Sequence, residues 1–211
     1  MNVLILGAYG QIAQIVRKRL LAETDANLTL YLRDAERIQP VDHDRETVVE
    51  ADVNDYQALV KAMANQDLVY ANLGGIFEPM AKNIVKAMSN TKVNRLIYVT
   101  GLGLYHEVPE PFGSWVENSV GHEVIEDTRY AAQLIEDSPV DFTIIRAAYM
   151  SNADEIDYEL TQKGEAYKGT TISRASIADL ITKIVKNPEL HSFSSLGISQ
   201  PGTDGDSPVY L

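Results

Sequence analysis

The sequence predicts an α/β fold built on a doubly wound parallel sheet, and three observations carry that reading. Apolar runs alternate with helical periods along the first two-thirds of the chain. The runs are short and largely unbroken by polar residues, as suits strands buried on both faces. The first of them, Val3-Leu4-Ile5-Leu6, stops at a glycine-spaced turn from which a helical pattern starts.

Taken in order, strands are expected at Asn2–Leu6, Leu28–Leu32, Thr47–Ala51, Leu68–Ala71, Arg95–Thr100 and Asp141–Arg146. Helices are expected near Gln11–Ala22, Tyr56–Ala64, Met80–Met88 and Val120–Glu136. The first helix carries Ile12, Ile15, Val16 and Leu20 on roughly one face, the spacing that buries one side of a helix against a sheet. Gly101–Ser119, with Pro109, Pro111 and Gly113, reads as a long loop. From about Ser151 the alternation weakens. Tyr158–Thr161 and Glu165–Tyr167 flank Lys163-Gly164 as a hairpin or loop over the site, a helix follows over Ser176–Lys186, and the remainder reads as loop. No repeat or linker divides the chain, so residues 1–211 are expected to form a single domain.

Composition sets bounds on function. The chain has 30 acidic and 18 basic residues, and a net charge of −12 opposes binding to nucleic acid or to anionic membranes. No apolar segment approaches the length needed to cross a bilayer, and strand-like residues from Val3 leave no room for a signal region. The absence of cysteine excludes disulfides, thiolate catalysis and cysteine metal sites, and a cytoplasmic location is expected. No metal-binding histidine box, phosphate-loop lysine or nucleophilic Gly-x-Ser-x-Gly is present. The carboxylates around Asp154–Asp157 and Asp204–Asp206 read as solvated loops.

The turn Gly7-Ala8-Tyr9-Gly10-Gln11-Ile12-Ala13 is the feature that carries chemistry. Gly7 permits a tight turn, Gly10 lets backbone amides approach a pyrophosphate, and small Ala13 lets helix and strand pack closely. The helix start then offers unpaired N–H groups and the positive end of its dipole. In an open parallel sheet, ligands bind beyond the carboxyl ends of the strands, so the residues there are the candidates for function. About 20 residues past Ala13, where the adenosine ribose is read, stands Arg33 rather than an acid. Its fork suits a 2′-phosphate, with Arg37 as a second cation, and NADP(H) is expected ahead of NAD(H). A surface arginine paired with Asp34 or Glu36 is the alternative, and Asp34 keeps NAD in play. Asp52-Val53 follows the third strand where adenine would sit, and Asn72-Leu73-Gly74-Gly75 follows the fourth, near the central ribose or as a plain turn. Thr100 and Tyr149 close the fifth and sixth strands near the expected nicotinamide.

Together these residues resemble the atypical short-chain dehydrogenase/reductase group, close to NmrA-like and NAD(P)H-binding proteins. The resemblance spans nearly the whole chain. Beside the glycine turn it rests on Leu32-Arg33-Asp34, Ala51-Asp52-Val53, Asp141–Arg146, Ile172–Asp179 and Pro201–Asp206. It implies a Rossmann fold whose pocket is roofed by the C-terminal third, about 151–211. It also implies either a reductase of flavins, quinones or tetrapyrroles, or a regulator that binds NADP without turnover. Two departures stand out: Ala147 replaces a proline often found after the arginine, and the Tyr–Lys catalytic pair is missing. None of the eleven tyrosines has lysine four residues on, and Tyr130, where the pair would fall, has Leu134. The expectation is therefore NADPH-dependent hydride transfer to a small planar acceptor, or else a sensor with a protein partner. Thr100, Tyr105 and His122 are the catalytic candidates, while Leu102, Leu104, His106, Trp115 and Met150 are candidate pocket residues.

Overall fold

The computed structural model describes residues 1–211. Ten strands and six α-helices follow in the order β1 (Asn2–Leu6), α1 (Gln11–Glu23), β2 (Asn27–Leu32), β3 (Glu46–Glu50), α2 (Tyr56–Met63), β4 (Leu68–Ala71), α3 (Phe77–Thr91), β5 (Arg95–Gly101), α4 (Phe112–Val120), α5 (His122–Glu136), β6 (Asp141–Ala147), β7 (Tyr149–Ser151), β8 (Glu159–Thr161), β9 (Thr171–Ser173), α6 (Arg174–Lys186) and β10 (Ser194–Ser199). The main sheet has the order β3-β2-β1-β4-β5-β6-β10-β8 and is parallel except for β8. Strand order reverses between β1 and β4, so a crevice opens there above the carboxyl ends.

Strand alternation splits the core in two. Val3 and Ile5 of β1 pack on one face with Ile12, Val16 and Leu20 of α1 and with the apolar side of α6. Leu4 and Leu6 pack on the other with α2, α3 and α5. Both faces of each central strand are covered, which is why the strands read as continuous apolar runs.

Three expectations are corrected. The Gly101–Ser119 segment is not loop throughout, because Phe112, Trp115 and Val116 share a helical face and α4 lays it on the core. The helix expected over Val120–Glu136 forms as α5 but starts at His122, because Val120 ends α4 and Gly121 (φ +93°) separates the two helices. The Tyr158–Tyr167 hairpin does not form. Glu159–Thr161 instead pairs antiparallel with β10, a strand whose serine-rich flanks made it read as loop. Tyr167 is buried, its single hydroxyl proton shared between the carbonyls of Arg146 and Ile198, each 2.8 Å away.

Beside Tyr167 lies a buried ion pair. Arg146 on β6 is fully buried and its Nη1 donates to Glu107 Oε1 at 2.7 Å. Glu107 also accepts from the backbone N–H groups of Gly103 (3.1 Å) and Tyr105 (2.8 Å). The pair thus ties the loop after β5 to the sheet. Burial alone raises the Glu107 pKa, but the Arg146 charge and the backbone N–H groups more than offset it, leaving the carboxyl below its ordinary 4.5. Its stabilising contribution is then complete above about pH 4.5 and is lost as pH falls through the folded value.

Arg146→Met is expected to cost about 3–5 kcal/mol in urea unfolding, because it strands a buried carboxylate. The sign of the pH dependence reverses with it. The stranded carboxyl has a raised pKa, so the deficit of the variant should shrink as pH falls from neutral. A deficit unchanged across that range would contradict the role given to the pair.

Candidate functional site

Above the β1/β4 switch point lies an open groove of about 1300 Å³. It gathers Gly7, Tyr9, Gly10, Gln11, Arg33, Arg37, Asp52, Val53, Asn72, Leu73 and Gly74 from four separate strand ends. Gln14, Asn54, Ile76 and Met80 line it as well, and reasoning from the motifs alone did not include them.

The floor is the turn between β1 and α1. Gly7 has φ +78°, and a Cβ there would lie 2.2 Å from the Asn72 carbonyl oxygen. At Gly10 a Cβ would lie 1.9 Å from Asn72 Nδ2. The two glycines therefore let this turn nest against the backbone and the side-chain amide of Asn72 at the end of β4. The Gly7 and Ala8 N–H groups both donate to the Tyr31 carbonyl at 2.9 and 3.2 Å, so Ala8 serves the turn and is itself buried. The N–H groups of Gln11 and Ile12 open α1, where no side chain caps the helix and no acid sits in the first turn. Uncapped helix N–H groups at the floor of a groove form an anion cradle.

The walls follow. Arg33 at the end of β2 is exposed and pairs with neither Asp34 nor Glu36, nor with any other acid. Arg37 also makes no ion pair, and its guanidinium lies 4.0 Å from the centroid of the Tyr9 ring. Asp52 accepts from the Asn54 N–H through Oδ1 at 2.8 Å, and its carbonyl accepts from the Tyr31 hydroxyl at 2.8 Å. Burial, with Asp55 and Asp52 nearby, pushes that hydroxyl up to about 12, so it stays protonated as the donor. Behind the groove, Asp127 of α5 accepts from the N–H groups of Phe77 (2.6 Å) and Glu78 (2.9 Å) and so caps α3 from outside. No local sequence pattern marks a cap supplied from 50 residues away.

The remaining candidates lie outside the groove. Thr100 closes β5, buried, with no hydrogen-bond partner for Oγ1. Tyr149 packs edge-on to Trp115 (5.0 Å between centroids) and against Phe112 (6.2 Å). Burial raises its pKa, and its hydroxyl lies beside Ser119 without the alignment of a hydrogen bond. Tyr105 turns the other way, its hydroxyl donating to Glu136 (2.7 Å) and sharing a hydrogen bond with Ser195 (2.8 Å). Burial and the neighbouring Glu136 raise its pKa well above the ordinary phenol value, which unsuits it for proton transfer at neutral pH. His122 stands on the surface at the start of α5, 3.3 Å from Glu117. His106 lines a separate recess of about 290 Å³ under α4, where Arg129 is already spent on Gly103, Glu117 and Glu126. Tyr130 points outward, away from both cavities. Residues 151–211 contribute β8, β9, α6 and β10 but no lining to the groove.

Comparison with known proteins adds the deciding observation. The NAD(P)H-binding family model matches residues 7–188, from the glycine turn to just beyond α6. The chain belongs to the NAD(P)H-binding family. A Rossmann-fold NAD(P)-binding family protein from Shigella flexneri is 40% identical, with TM-score 0.85 over 100% of this chain and 98% of that one. A short-chain dehydrogenase/reductase from Veillonella parvula, solved in complex with NADP, is 31% identical, with TM-score 0.93 over 99% of each chain. At 17% identity, an anaerobillin reductase from Escherichia coli O157:H7 shares the fold, with TM-score 0.80 over 97% of this chain and 100% of that one. No curated protein sequence matches. No helix of this NAD(P)H-binding protein is long and apolar enough to cross a membrane.

The residues present fit a dinucleotide: uncapped helix N–H groups on the floor where a pyrophosphate would lie, a carboxylate where adenine would be read, and unpaired guanidinium groups where the adenosine ribose would be read. Gly7→Ala is expected to cost about 1–3 kcal/mol of stability, since it adds strain and a clash with backbone. At Gly74 a Cβ would meet nothing within 4 Å, so Gly74→Ala should leave the thermal midpoint in place. Equal effects of the two substitutions would contradict the packing of the turn on β4.

Proposed function

We propose that this NAD(P)H-binding protein is an NADPH-dependent reductase that passes hydride to a small planar acceptor, such as a quinone or a flavin. The observation that carries the cofactor choice is Arg33, a guanidinium left unpaired at the end of β2 in a protein of net charge −12. A fixed fork beside the adenosine ribose favours a 2′-phosphate over a bare hydroxyl. The NADP bound by the Veillonella parvula relative supports the same choice. Gln11 and Ile12 N–H groups would hold the pyrophosphate, Asp52 and Val53 the adenine, and Asn72, Leu73 and Gly74 the central ribose. When bound, the reduced nicotinamide supplies the hydride.

The acceptor class follows from the missing acid. Tyr105 is committed to Glu136 and Ser195, His122 faces solvent, and no tyrosine has a lysine one turn on. A quinone or flavin needs no such acid, because it takes hydride at a ring position and its proton from water. The chain then contributes proximity and orientation. The same lack of an acid also favours a second reading, a sensor that binds NADP(H) and signals to a protein partner. A sensor must bind NADPH and NADP⁺ with different affinity, since a ligand shifts an equilibrium only through such a difference.

Two measurements test this. NADPH oxidation, followed by absorbance across a panel of quinones, flavins and small aldehydes, should show turnover that is slower with NADH. Tight binding of NADPH over NADP⁺ with no turnover on the panel would favour the sensor. Arg33→Ala should weaken NADPH by roughly 1.5–3 kcal/mol and leave NADH nearly untouched. Equal weakening of both cofactors would remove Arg33 from the 2′-phosphate.

A further inference from the structure

We propose that Tyr9 is a positioning residue for cofactor specificity, its ring holding the Arg37 guanidinium ready for the 2′-phosphate. The inference rests on the NADP reading above and assigns to Tyr9 a role distinct from the backbone turn in which it sits. Tyr9 is a large aromatic residue left 38% exposed on the rim of the groove, and no hydrogen bond engages its hydroxyl. What its ring does engage is Arg37, whose guanidinium carbon lies 4.0 Å from the ring centroid. Both side chains line the same groove as Arg33.

The geometry matters because a guanidinium is planar. Stacking occupies its face and leaves its N–H donors directed outward in the plane, where a phosphate is received. Without the ring, Arg37 is an exposed chain with acidic neighbours at Asp34 and Glu36, and ordering it on a ligand costs much of its rotamer entropy. The backbone on both sides is already set. Gln14 Nε2 donates to the Tyr9 carbonyl at 2.8 Å, and Glu50 accepts from the Ala35 N–H at 2.8 Å, which fixes the short turn that carries Arg37. Ring and guanidinium are thus the two mobile parts left, and each immobilises the other.

The test is calorimetric binding of two fragments, 2′,5′-ADP and 5′-ADP, to the full chain and to Tyr9→Phe, Tyr9→Leu and Arg37→Ala. Phenylalanine keeps the π face and should leave both affinities near wild type. Leucine keeps bulk without the π face and should weaken 2′,5′-ADP roughly 3- to 30-fold while sparing 5′-ADP, the range of a cation–π contact. The double variant Tyr9→Leu, Arg37→Ala should then lose little beyond Arg37→Ala alone. Equal weakening of both fragments by Tyr9→Leu, or an effect of Tyr9→Phe as large as that of leucine, overturns the proposal. If wild type prefers 2′,5′-ADP and Tyr9→Leu changes nothing, this proposal fails and the NADP reading stands. If wild type shows no preference between the fragments, both fail together.

Discussion

The constraint on which the rest of this structure depends is the close approach of the β1–α1 turn to the end of β4. Gly7 and Gly10 bring backbone against Asn72 where any side chain would collide. That contact sits where the sheet order reverses, so it fixes the depth of the crevice and aims the first N–H groups of α1 into it. Asn72 is held in turn, its N–H donating to the Leu6 carbonyl at 2.9 Å and its Oδ1 accepting from the Tyr70 hydroxyl at 3.2 Å. The anion cradle is therefore a product of packing between adjacent strands rather than of the glycine motif alone.

Charge is distributed to match. Several arginines are engaged in ion pairs away from the groove: Arg146 with Glu107, Arg129 with Glu117 and Glu126, Arg19 with Glu23 and Asp179. Arg33 and Arg37 are left without acidic partners, and both face the groove. They are the only basic side chains that line it, beside the carboxylates of Asp34 and Asp52. The buried Arg146–Glu107 pair serves a different end. By capping the N–H groups of Gly103 and Tyr105 it shapes the loop between β5 and α4, which carries Tyr105 away from the groove and into Glu136 and Ser195.

Much of this was legible in the sequence, for identifiable reasons. β1 and β4 were read with the bounds they have, because strands buried on both faces leave unmistakable apolar runs. The set of residues that line the groove was legible because they sit at strand ends, and strand ends are where an apolar run stops. What escaped depended on tertiary contacts. α4 was hidden by prolines before it and a glycine after it, although Phe112 and Val116 are spaced as a buried face. β10 was hidden because only Leu196 and Ile198 face the core while its other positions are serine and glycine. Tyr105 and His122 were plausible by residue type, but nothing local in sequence says which way a loop tyrosine points. Asp127 and Tyr9 act through partners far along the chain, Phe77 and Arg37, and such pairings exist only once the chain is folded.

The central claim is that this groove receives NADPH with its 2′-phosphate at the arginine corner. A crystal structure of the protein with bound NADP tests it most directly. The account predicts the pyrophosphate on the Gln11 and Ile12 N–H groups and the 2′-phosphate within hydrogen-bonding distance of Arg33, with Arg37 still stacked on Tyr9. A 2′-phosphate directed into solvent, or a pyrophosphate bound away from the start of α1, would contradict it.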